Sequence, residues 1–147
     1  MSTTPSPGFG PLGIAQQMST RIAFLISGLG MSSWAPLVPF VKEKLAVNEA
    51  ALGLLLLCFG AGSLAGMPVA GLLVGRLGCR KVIAASTLVM MAALVTMIAA
   101  PSVPMLAFAI FLFGASLGIM DVAMNIQAVI VEQASGRAMM SGFHGFY

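Results

Sequence analysis

The chain has 147 residues, 59% of them hydrophobic and 7% charged, with a mean hydropathy of +1.04; a soluble domain carries roughly 25% charged residues. The net charge of +3 comes from seven Lys and Arg against four Asp and Glu, with no basic patch interleaved with aromatics, which excludes nucleic acid as a partner. Cys58 and Cys79 would stand about 30 Å apart on one helical segment, so both are expected as free thiols. With a single His they leave no metal-ligand spacing, and no cofactor is expected.

Residues 1–20 are rich in Ser, Thr, Pro and Gly, without the basic start or cleavage site of a signal peptide. They read as a disordered cytosolic tail. A first apolar span runs from 21 to 41, its far half bent or ended by Pro36 and Pro39. A nearly neutral polar loop, Lys42 to Glu49, leads to span two at 50–74. The next loop, Gly71 to Lys81, holds Arg76, Arg80 and Lys81, and no further charge follows until Asp121. Span three covers 82–100, the turn Pro101-Ser102-Val103-Pro104 is uncharged, and span four covers 105–131. Met139 to Tyr147 reads as the beginning of a further element. Each run is close to the roughly 20 apolar residues that a bilayer crossing requires. The fold class is therefore an all-α integral membrane protein with four transmembrane helices, and the lipid bilayer is its first partner.

Orientation follows from the cations. Arg21, Arg76, Arg80, Lys81 and Arg137 fall on one side, Lys42 and Lys44 on the other. The richer side is expected to face the cytosol, with both chain ends inside and the protein multi-pass in the plasma membrane.

Asp121 stands out within span four. A carboxylate at mid-helix costs about 2.5–3.5 kcal/mol on insertion scales. At 100° per residue Gly114, Asp121, Asn125 and Glu132 share roughly 40° of arc, with Gly118 close by. That face reads as a substrate or proton site toward a central cavity, set against a structural Asp that holds a neighbouring helix. Glu132 reads as a wetted helix-end residue, and Gln127 points toward another helix or the headgroups. Gly62-x-x-x-Gly66 and Gly71-x-x-x-Gly75 in span two read as close-packing surfaces, and Trp34 as an interfacial or cavity-wall ring. Gly114-Ala115-Ser116-Leu117-Gly118 matches G-x-S-x-G, with His144 as an imaginable base. A nucleophile elbow needs a strand-to-helix turn, so helix packing explains the match better and no enzyme is expected.

The loop Gly71 to Lys81 resembles the signature between the second and third helices of the major facilitator superfamily, G-x-x-x-[D/E]-[R/K]-x-G-x-[R/K]-[R/K]. Gly71, Arg76, Gly78, Arg80 and Lys81 match, and Gly75 stands where the family has an acid. The resemblance implies a gating role for this loop, although without that acid the family's cytosolic latch is incomplete. Gly118 to Gln127, Ser141-Gly142-Phe143-His144 and Trp34-Ala35-Pro36-Leu37-Val38-Pro39-Phe40 resemble the bacterial inner-membrane YbjJ-type subgroup. Residues 21–147 would then correspond to helices 1–4 of a twelve-helix fold, part of its N-terminal half. Helices one and four would line the cavity, making Asp121, Asn125, Trp34 and Ser27 candidate substrate or proton residues.

The implied function is secondary transport of a small-molecule substrate, proton-coupled, with the remaining helices or a partner chain needed for competence. Two other readings stand beside it. A four-helix exporter acting as a dimer would rely on an acid in its first helix, and none lies between Arg21 and Lys42. A non-transporting membrane subunit would use the chain for packing alone.

Overall fold

The computed structural model describes residues 11–136 and 138–147. Four long helices cross one another as a bundle: α1 (Pro11–Lys44), α2 (Glu49–Leu77), α3 (Cys79–Ala99) and α4 (Val103–Ser135), followed by a short α5 (Met140–His144). All four are long and apolar enough to span a membrane. In hydrocarbon no water is available to the backbone, and a helix satisfies its amide groups internally.

The helices outrun the expected spans. Residues 11–20, expected to be irregular, are the first turns of α1, while 1–10 lie outside the described residues. Pro11 at the start has no N–H to lose, and no further Pro occurs before Pro36. Ser19 and Thr20 donate their hydroxyls to the carbonyls of Ala15 and Gln16 at 2.8 and 2.9 Å. Pro36 and Pro39 do not end α1, which continues to Lys44; membrane helices tolerate such interruptions when their surroundings re-satisfy the backbone.

The turns are short and specified by single residues. Asn48 caps α2, its Oδ1 accepting the N–H of Ala51 at 2.8 Å. Only Gly78 separates α2 from α3, at φ 81° and ψ 153°. That region of backbone space is essentially restricted to glycine. Pro104 sits in the first turn of α4, where its missing N–H costs nothing. Across the opposite turn Lys42 pairs with Glu49, and the Lys44 ammonium donates to the Ile98 carbonyl at 2.6 Å, capping the last turn of α3. The end of the bundle holding Gly78, the start of α1 and the finish of α4 is called the basic end below.

The closest seam joins α2 to α4. A methyl group built on Gly62 would collide with the Phe111 carbonyl, one on Gly66 with that of Ala115, one on Gly114 with that of Phe59, and one on Gly118 with that of Ser63. Glycines of both helices thus meet backbone of the other, in parallel register. This confirms close packing at Gly62 and Gly66. It does not extend to Gly71 and Gly75, which face open space. It also gives Gly114 and Gly118 to helix contact, in line with the packing reading of Gly114 to Gly118, rather than to the cavity face that periodicity shares with Asp121.

Two predictions follow from these positions. Gly62→Val or Gly118→Val should destabilise the bundle by about 1–3 kcal/mol through overpacking, whereas Gly71→Ala should be neutral or slightly stabilising. Buried Cys79 supplies the readout, as its reaction with a thiol dye on heating should begin earlier only in the first two variants. Gly78→Ala should cost about 1–3 kcal/mol from backbone strain alone, in the same melting assay.

Candidate functional site

α4 is the hub of the bundle. Its buried residues include Ile110, Phe113, Leu117, Met120, Met124, Ala128 and Val131 on one side and the glycine seam on another. Taking Gly114 as zero on a helical wheel, the α2-facing seam centres near 45° and the buried Met and Phe stripe near −90°. Asp121 falls near −20°, between the two, and is half-buried. Asn125 lies one turn on, also half-buried. Its Nδ2 donates to the Asp121 carbonyl at 2.8 Å and approaches the Asp121 Oδ1 at 3.4 Å. Among the described residues no cation pairs with Asp121. The carboxylate is thus steadied by an amide on its own helix.

Trp34 reaches α2 and α4 near the opposite end. Its ring stacks on Phe59, with centroids 6.1 Å apart and planes 11° from parallel, and lies 6.0 Å from Phe113. Phe59 and Phe113 are 5.9 Å apart, so the three rings close a triangle. Trp34 is 8% exposed, which places it inside the helix bundle rather than at the lipid interface. Ser27 is fully buried on α1, and its Oγ has no hydrogen-bond partner among the described residues. The structure therefore brings Asp121 and Asn125 together directly, sets Ser27 in the core, and gives Trp34 to an aromatic cluster.

Arg76, Arg80 and Lys81 of the basic loop are exposed. Arg80 lies at the rim of a groove of about 450 Å³ between α1, α3 and α4, whose walls include Ile22, Ile26, Ile83 and Gln127. Gln127 accordingly faces the neighbouring helices, as its offset from Asp121 suggests.

Ser116 and His144 are occupied elsewhere and apart. The Ser116 hydroxyl donates to the Phe113 carbonyl at 2.8 Å, while His144 sits exposed on α5, its Nδ1 3.0 Å from the Met140 carbonyl. Glu132 has a role that its position alone did not disclose: its Oε2 accepts the N–H groups of Met139 and Met140 at 2.6 and 2.7 Å. An acid eight residues before the next helix was the available signal.

The Major Facilitator Superfamily profile matches residues 21–146. The chain belongs to the major facilitator superfamily. It is 56% identical over 135 residues to an uncharacterized MFS-type transporter of Yersinia pestis, covering 92% of this chain and 35% of that protein. It is 39% identical over 124 residues to the uncharacterized transporter y4wD of Sinorhizobium fredii, covering 84% of this chain and 33% of that protein. It is 40% identical over 122 residues to the membrane protein MosC of Rhizobium meliloti, covering 83% and 30%. The chain spans about a third of the length of these relatives. No solved structure matches it. Membership and the four helices long and apolar enough to cross a bilayer together make it a multi-pass membrane protein.

The single tryptophan gives a direct check of the aromatic triangle. Brominated lipids should quench Trp34 fluorescence weakly in the native chain. Phe59→Ala should raise that quenching at least twofold by opening the ring to lipid.

Proposed function

We propose that this chain forms the N-terminal part of a secondary transporter that moves a small solute in exchange for, or together with, protons. Asp121 is the proton-carrying group and Asn125 orients it. The observation that carries this reading is the half-buried, unpaired carboxylate at mid-span, because an ionisable group is kept in hydrocarbon at a cost of about 2.5–3.5 kcal/mol. Ser27 supports it as an unsatisfied hydroxyl on α1, available to a solute or a water. Trp34 and its two partner rings close the opposite end of the α1, α2 and α4 junction. The loop from Gly71 to Lys81 gates the basic end, where three exposed cations surround a one-residue turn.

The basic end faces the cytosol in this reading. The support is the distribution of Lys and Arg, five on that side against two on the other. This sets the protein in a bacterial inner membrane with both ends of the chain inside. The remaining helices of the twelve-helix protein complete the pathway, as two repeats are needed around a midplane site.

The test uses the full-length transporter in vesicles loaded with a pH-sensitive dye, challenged with a panel of small solutes. The native protein should produce a solute-dependent proton flux, and Asp121→Asn should lower it at least tenfold. An unchanged flux with the same pH profile would remove Asp121 from the mechanism.

A further inference from the structure

Of the four acids in the chain, Glu43 and Glu49 lie at one end, Asp121 at mid-span and Glu132 at the basic end. Five cations share that end with Glu132 by sequence, yet no ion pair to it occurs among the described residues. Its charge is directed instead at two backbone donors, the Met139 and Met140 N–H groups that open α5. Charged acceptors make hydrogen bonds roughly twice as strong as neutral ones, and both of these are short.

The joint that this carboxylate spans turns at Gly136 and is also crossed by the Ser135 hydroxyl, 3.3 Å from the Met139 sulfur. Gly136 ends α4 at φ 63°, with open space where a side chain would be. Beyond the joint, α5 is laid along α1. Phe143 is fully buried and stacks on Phe24 at 6.0 Å, His144 meets Phe24 edge-on at 5.1 Å, and Phe146 lies 5.6 Å beneath the Arg21 guanidinium. Gly28 admits the backbone of Tyr147 at a distance no side chain would allow.

We propose that Glu132 is a carboxylate clasp: a positioning residue that fastens the α4–α5 joint, so that the segment after it docks on α1. The clasp is tightest while the group is ionised, because a charged acceptor holds both amides more strongly than a neutral one. Among the described residues, the charged or titratable groups on the elements around the joint are Arg21 on α1, Cys79, Arg80 and Lys81 on α3, and His144 and Tyr147 on or after α5, while Arg137 lies outside the described residues. None of the described groups is paired with Glu132, so the amides are its partners. This inference stands independently of the transport reading.

The experiment is amide hydrogen exchange of the full-length protein in lipid nanodiscs, followed at Met139 and Met140 and corrected for intrinsic pH dependence. Glu132→Ala should speed exchange at these two amides at least tenfold, with α2 and α4 unchanged. The native chain should lose protection on acidification, while Glu132→Gln, whose amide oxygen still accepts, should keep intermediate protection that does not vary with pH. Should Glu132→Ala fail to fold, the acid series of the native chain against Glu132→Gln decides alone. Parallel curves in that series, or native amides as labile as in Glu132→Ala, would overturn the proposal.

Discussion

The contact between α2 and α4 is the constraint on which the rest of the bundle depends. Lipid offers no hydrophobic drive for helices to associate, so association rests on close packing of backbones. Gly62, Gly66, Gly114 and Gly118 remove the side chains that would hold the two axes apart. Once that distance is set, Phe59 and Phe113 stand 5.9 Å apart and can receive Trp34 from α1. Away from the seam, the remaining arc of α4 is filled by apolar side chains from α1 and α3. Most of α4 is thereby enclosed, and Asp121 falls in the narrow interval between the two arcs.

The polar groups show how strongly this environment selects. Hydroxyls at Ser19, Thr20, Ser32, Ser33, Thr87 and Thr96 all return to a carbonyl four residues earlier, the local solution where water is absent. Against that pattern, Ser27 Oγ and Arg21 Nε are buried without partners among the described residues. Among the described residues, Asp121 has only an amide beside its carboxylate. These three incompletely satisfied groups lie on α1 and α4, which is where a polar solute or proton would find unmet hydrogen-bonding capacity.

Much of the architecture is legible in the sequence because the bilayer leaves few choices. Charge-free runs disclose the four helices, and the isolated Asp121 discloses the one carboxylate at depth. Helix ends are less legible: residues 11–20 look like a tail by composition, but nothing in them prevents α1 from starting at Pro11. Periodicity groups Gly114 and Gly118 with Asp121, and it cannot say whether a small-residue face meets a cavity or another helix. Only the matching glycines of α2, in parallel register, decide that. Trp34 illustrates the same gap, since its partners come from positions 25 and 79 residues away in sequence. Glu132 was readable as an acid at a helix end, but its backbone partners appear only when the chain turns at Gly136.

The two kinds of contact around α4 differ in what they permit. The α2 seam is backbone against backbone, with carbonyl oxygens fitted where Cβ atoms are missing. Sliding one helix by a single residue would drive side chains into those carbonyls, so α2 and α4 behave as one mechanical unit. The contact with α1 is side chain to side chain, with Trp34 beside Phe113 and with Ala23 and Phe24 packed in one cluster with Met124, Ala128 and Val131. The glycines that make the bundle compact also fix α2 in register with the helix that carries the carboxylate.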